Sequence, residues 1–305
     1  MRLNNLHPRF SERLIPRLNI HSIGSIARLR PTEQKIPKKI HQVFFSDRAL
    51  PKDIARNIDL LRQQNPEWEY FFYNDEDMHR FVKENFSSEI FDSYEKLENS
   101  YGAARVDFFR YLLLHRVGGI YLDIKSSASR PLGSVIRAND TFLLSQWRNS
   151  SDEKYAGWGL HDDINWVPGG EFQQWYIAAA PEHPFLAAVI ANVVRNIKLY
   201  NKGLHGSGQY GVLRVTGPIA YTASIAPILH LFPHRRVDSE HDLGLIYSIY
   251  DDERHVKLFK EHYSELRIPI VKQGLKDSFF SFVYQSSRLA KKIQNYFKKI
   301  STRHS

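Results

Sequence analysis

The sequence predicts an α/β domain built on a mostly parallel sheet with flanking helices, and three stretches carry that expectation. Residues 101–127, YGAARVDFFRYLLLHRVGGIYLDIKSS, run from an apolar helical segment through a glycine pair into a short strand ending in acid. Residues 36–74 read as strand, helix and aromatic strand, and such a βαβ opening implies parallel pairing. Residues 172–200 add another strand and a long apolar helix. A chain of 305 residues with 42% hydrophobic content can bury a full core, which excludes a disordered protein.

In chain order, residues 1–35 are rich in Arg, Asn, Ser and Pro and read as a basic, loosely ordered lead-in. The single domain, residues 36–275, opens with Ile36-Pro37-Lys38-Lys39-Ile40-His41-Gln42-Val43-Phe44-Phe45, a proline-started strand with the continuous apolar end of a buried parallel strand. A helix over about 52–64 follows. Asn65-Pro66 then turns the chain into an aromatic strand ending at Asn74. Residues 76–100, rich in Glu and Lys, read as solvent-facing helices. From Ala103 to Val117 the helix is apolar on nearly every side, as expected inside a fold. Gly118 and Gly119 stop it through a left-handed cap, and Ile120, Tyr121 and Leu122 deliver Asp123 to a strand end.

Beyond that point, Ser126 to Asp140 reads as loop and short helix, Thr141 to Trp147 as strand, and 148–171 as a polar loop. A strand over Phe172 to Ala180, a Pro181-Glu182-His183-Pro184 turn and a helix to about Tyr200 come next. Gly206-Ser207-Gly208-Gln209-Tyr210-Gly211 spells a dinucleotide fingerprint but follows a helix, so it reads as a flexible loop before a helix starting at Thr216-Gly217-Pro218. Residues 276–305 close the chain as a basic amphipathic helix. Phe282, Leu289, Ile293, Tyr296, Phe297 and Ile300 fall on one side, away from Arg288, Lys291, Lys292, Lys298 and Lys299. That helix suits either an anionic membrane surface or packing on the domain.

A net charge of +9 favours anionic partners. Nucleic acid is not among those expected, because zinc-finger spacing, RNA-recognition aromatics and a helix-turn-helix are all missing. With no cysteine, disulfide scaffolds and thiolate metal sites are excluded. No apolar window reads as long enough to span a bilayer.

The chemistry concentrates where charge meets apolar surroundings. Asp107 and Arg110 lie three residues apart on one helix face, and a buried charge costs several kcal/mol unless it is paired or liganded. Their partner is either each other or a ligand. Asp123 is either a ligand-holding acid or a solvated strand end. Trp158, Asp162 and Asp163 in the polar loop suit an acceptor saccharide, through stacking and hydroxyl hydrogen bonds, or else form a hydrated loop.

The pattern A-x-x-x-D-x-x-R-Y-x-x-L-x-x-x-G-G-x-Y-x-D, with the Ile-Pro-Lys-Lys-Ile-His-Gln opening, resembles DxD-type glycosyltransferases of family 32. That family includes yeast mannosyltransferases, bacterial surface-polysaccharide transferases and, more remotely, glucosylating toxins. The resemblance covers roughly two-thirds of the chain. It implies a GT-A type fold and transfer of a hexose from a nucleoside diphosphate sugar to a saccharide or lipid-linked acceptor, with retained configuration. By resemblance Asp107, Arg110 and Asp123 hold donor sugar, ribose and metal, while Phe44 and Tyr121 meet the nucleoside. His41, Gln42, Asn74, Gly217 and Pro218 complete the donor side. The family's second metal-binding acid falls on Lys125, which cannot ligate a cation but can neutralise a diphosphate. Asp123 is then the motif's candidate ligand for manganese or magnesium, and Asp162 or Asp163 could supply another ligand or an acceptor base. The other function class left open is a catalytically inactive sugar-nucleotide or carbohydrate-binding scaffold. The expected location is cytoplasmic, on the inner face of the plasma membrane if the last helix is an anchor.

Overall fold

The computed structural model describes residues 34–44, 49–250 and 266–272. The expectations for the lead-in up to residue 33 and for the amphipathic helix at 276–305 lie outside the described residues.

The chain opens as β1 (Lys39–Val43), α1 (Lys52–Gln64) and β2 (Glu69–Tyr73), followed by α2 (Asp75–Asn85), α3 (Ser88–Glu95) and α4 (Gly102–Val117). It continues with β3 (Gly119–Leu122), β4 (Ser127–Ala128), α5 (Leu132–Val135), β5 (Phe142–Leu144) and β6 (Tyr176–Ala179). Then come α6 (Pro184–Lys198), α7 (Lys202–His205), α8 (Gly208–Val215), α9 (Pro218–Ile225), β7 (Arg235–Arg236) and β8 (Leu245–Ile246).

Six strands form the main sheet in the order β2-β1-β3-β6-β5-β7. β1 pairs parallel with both β2 and β3, β5 pairs parallel with β7, and β6 runs antiparallel to its two neighbours. β4 and β8 make a separate antiparallel pair. This is a mostly parallel α/β sheet with flanking helices, as the sequence predicts.

Alternating side chains send the strands' residues into two cores. Val43, Tyr121, Ile177 and Ala179 join the larger one with α4, α6 and α9. Ile40, Ile120, Leu122, Tyr176 and Ala178 face the other, with Trp68 and Leu132. α4 is buried through nearly its whole length, Ala104 to Leu114, charges included.

The glycine corner after α4 differs from a left-handed cap. Gly118 has φ 63° and ψ −172°, and Gly119 has φ 111°, backbone regions that only glycine occupies readily. A Cβ on Gly118 would lie 2.6 Å from Pro181 Cδ, and one on Gly119 2.7 Å from the Lys39 carbonyl. The corner therefore serves two needs, conformation and close approach of β1.

Two sequence expectations are corrected. Gly206–Gly211 is no flexible loop, since α8 begins at Gly208 and Gly206 caps α7. The stretch Gly208–Leu231 is, by length and composition, apolar enough to cross a membrane, contrary to the reading above. It is broken by Thr216 and Gly217 between α8 and α9, and 72% of its apolar 18-residue window is buried, as in core helices.

Candidate active site

Asp107, Arg110 and Asp123 come together where the parallel strands end. Asp107 and Arg110 are 4% and 6% exposed and pair at 3.0 Å, while Arg110 also reaches Asp123 Oδ1 at 3.3 Å. The Arg110 guanidinium lies 4.5 Å from the centre of the Tyr121 ring and donates to the Gln174 carbonyl at 2.7 Å. Asp107 accepts from Gln174 Nε2 at 3.1 Å and from Thr216 Oγ1 at 3.1 Å. Tyr111 closes the cluster by donating to Gln174 Oε1 and to the Thr216 carbonyl, with its ring stacked on Tyr221.

This is a satisfied polar hub. Burial pushes the Asp107 carboxyl up to about 6, against the pull of Arg110 and Thr216. Burial also opposes the charge on Arg110, but Tyr121, Asp123 and Asp107 together hold its pKa above the ordinary range. The two helix charges thus find partners within the protein. The acid that faces outward is Asp123, whose side chain is 25% exposed.

Several donor-side expectations resolve into bracing. Tyr121 is buried, with its ring under Arg110 and its hydroxyl donating to Asp123 at 3.2 Å, which leaves no open face for a nucleoside. Phe44 packs with Ile54, Ile58 and Ile124, because α1 folds over the end of β1. His41 is buried between the Tyr73 hydroxyl and the Gly118 carbonyl, each at 3.0 Å, and burial lowers its pKa to about 4. Gln42 accepts from the Tyr70 hydroxyl and donates to the Asp123 carbonyl at 3.2 Å, fixing the turn that carries Asp123. Asn74 caps α2 in a reciprocal box with Asp77, so its side chain is engaged in turn chemistry. The Gly217 N–H is not free for a phosphate, since it donates to the Val212 carbonyl at 2.8 Å, and Pro218 has no N–H to offer.

Lys125 lies two residues past Asp123. Its Nζ donates to the Tyr247 hydroxyl at 2.9 Å and sits 4.0 Å from the centre of that ring. Tyr247 in turn meets Trp147, Trp158 and Trp175 edge-on, with centroids 5.2, 5.9 and 5.5 Å away. Trp158 is 45% exposed and forms the open end of this aromatic wall. Beneath it, Glu171 accepts from Trp147 Nε1 at 2.7 Å and contacts His161 Nε2 at 2.8 Å. The donor-side turn and the expected acceptor loop are therefore linked through Tyr247. Asp163 is tied to Arg214 at 2.8 Å and is no free base, whereas Asp162 is exposed.

A divalent cation takes several oxygen ligands from carboxylates, carbonyls, waters or substrate phosphates. Asp123 offers the one carboxylate at this turn, with one oxygen engaged by Arg110 and Tyr121, and the next candidate position is an ammonium. No group of three or more His, Asp or Glu side chains suited to a metal occurs among the described residues. These residues do not make a cation site by themselves.

Sequence reasoning missed Gln174, Tyr111, Tyr247 and Glu171. Tyr111 adjoins Arg110 in the signature, which was a usable signal. Gln174 and Tyr247 belong to no pattern, and only the fold brings them in.

Residues 51–143 match the family model described as a glycosyltransferase sugar-binding region containing a DXD motif. The chain is 28% identical over 165 residues to inositol phosphoceramide mannosyltransferase 1 of Schizosaccharomyces pombe, covering 52% of this chain and 43% of that protein. It is 24% identical over 207 residues to the initiation-specific alpha-1,6-mannosyltransferase of Candida albicans, covering 62% of this chain and 52% of that protein. The chain thus spans about half the length of the curated relatives it matches. Among solved structures, PaToxG glycosyltransferase aligns with a TM-score of 0.47 at 19% identity, over 73% of this chain and 79% of that one.

Proposed function

From the match of residues 51–143 to the sugar-binding region of glycosyltransferases with a DXD motif, we propose that the chain transfers a hexose from a nucleoside diphosphate sugar to a saccharide or lipid-linked acceptor. The observation that carries the reading is the continuous chain of charge Asp107–Arg110–Asp123, held at 3.0 and 3.3 Å where the parallel strands end, inside the matched region. The mannosyltransferase relatives favour mannose as the hexose. Those named for inositol phosphoceramide favour a lipid acceptor, for which a location on the inner face of the plasma membrane is apt.

In this reading Asp123 receives donor hydroxyls and Arg110, immobilised by Asp107 and Gln174, holds Asp123 in place. The bond from the anomeric carbon to the diphosphate oxygen breaks as the acceptor oxygen bonds to that carbon with retained configuration. The acceptor's proton passes to the leaving phosphate. Lys125 counters the charge that develops there, in the role a cation fills in motifs with two acids. Trp158 and its aromatic neighbours offer the acceptor a stacking face. Synthesis of surface polysaccharide is the context this chemistry suits.

A thermal-shift panel of nucleoside diphosphate sugars, with manganese and with chelator, followed by hydrolysis assays on the hits, tests the reading. Stabilisation by one donor with release of its nucleoside diphosphate is expected. Binding without release supports the second reading, an inactive sugar-nucleotide-binding scaffold, which the lysine at the second acid position favours. No stabilisation by any donor would overturn both.

A further inference from the structure

Tyr247 belongs to no motif and reaches the site from 122 residues away, just past β8. Three contacts tie it to the turn after Asp123. Its hydroxyl accepts from Lys125 Nζ at 2.9 Å, its carbonyl accepts from Ser126 Oγ at 2.8 Å, and two residues on the Ile249 N–H donates to the Lys125 carbonyl at 2.9 Å. Its ring also lies under the ammonium, 4.0 Å from centroid to nitrogen.

The need for such a partner follows from what lysine is. A metal ion is located by the geometry of its ligands, whereas an ammonium rides on a flexible stem carrying about 2 kcal/mol of rotamer entropy. Charge stabilisation works only when the charge already stands where it is needed. A lysine in the place of a metal-binding acid therefore requires a second residue to aim it. We propose that Tyr247 is that positioning residue, holding the Lys125 ammonium ready for a diphosphate through its hydroxyl and ring face. The proposal rests on the reading of Lys125 given above. Tyr247 is itself held by three tryptophans, so the aim is as firm as the aromatic wall.

The test uses the full chain in chelator, with inorganic pyrophosphate as the probe and calorimetry as the readout. Lys125→Ala is expected to weaken pyrophosphate binding by about tenfold, as loss of a charge-assisted contact would. Tyr247→Phe keeps the ring and its tryptophan contacts, and should weaken binding severalfold with an unchanged thermal midpoint. Combined with Lys125→Ala it should add nothing. Tyr247→His, which restores a ring able to accept a hydrogen bond, should recover part of the affinity. An equal loss from Tyr247→Phe in both backgrounds, or no loss in either, would overturn the positioning role while leaving Lys125 as the diphosphate residue. Pyrophosphate that binds Lys125→Ala as well as the unmodified protein would overturn the Lys125 reading itself.

Discussion

The site has two halves that treat charge in opposite ways. Around Asp107 and Arg110, charge is sealed inside a helix and satisfied by Gln174, Thr216 and Tyr121. Around Lys125, charge is held at a half-open surface by the hydroxyl and face of Tyr247. The first half is closed by its own partners, and the second is the half that the proposed function turns toward a diphosphate. On that proposal, the charged residues of the signature belong to the scaffold, and the group that meets the ligand lies a few residues further on.

Breaking the sealed half should have the largest effect. Asp107→Ala or Arg110→Ala each strands a buried charge, and we expect a loss of about 3–5 kcal/mol in chemical denaturation. If both variants keep their stability and lose only turnover, the hub belongs to the ligand and the contrast fails.

The pH dependence sharpens the same contrast. The Asp107 pKa is raised from 3.8 to about 6, so its contribution to stability is present below 3.8 and is lost as pH rises through 6. His41 and His183 are lowered from 6.5 to about 4 by burial, so theirs is present above 6.5 and is lost as pH falls through 4. In the acid range Asp107 therefore offsets the histidines. Asp107→Asn, removing that offset, should steepen the loss of stability between pH 6 and 4, measured by urea midpoints across the range. An unchanged slope would mean that Asp107 stays ionised throughout.

On the open half, Lys125→Ala should leave the urea midpoint unmoved and lower turnover by more than it raises the donor KM. Full loss of activity in chelator, recovered by manganese in the unmodified protein, would show that lysine does not stand in for the cation. The smallest expected effect is that of Trp158→Ala. One stacking face lost should raise the acceptor KM about tenfold or less, with donor hydrolysis unchanged.

Much of the fold was legible because periodicity and punctuation agree with it. The run from Ile36 contains β1, and the Asn65-Pro66 turn and the Gly118-Gly119 corner each fall at the boundary of an observed element. The trio Asp107, Arg110 and Asp123 was legible as a group. What each touches was not, because a sequence shows that a charge is buried without showing its partner. Phe44 illustrates the limit, since an aromatic at a strand end looks the same whether it stacks on a base or under a helix. The Tyr247 link was invisible for a plainer reason, as contacts across 122 residues leave no local trace. Gly208 misled because a short helix with glycine at its start resembles a loop in composition.

The glycine corner also sets a phase. Because Gly118 and Gly119 admit no Cβ against Pro181 and Lys39, the end of α4 cannot slide relative to β1 and β3. The angular offset between the helix charges and the strand acid is therefore locked, like the timing between two gears on one shaft. One residue inserted anywhere between Arg110 and Gly118 would turn Asp107 and Arg110 by about 100° away from Asp123. The spacing between the helix charges and the glycines is thus as much a part of the site as the charges themselves.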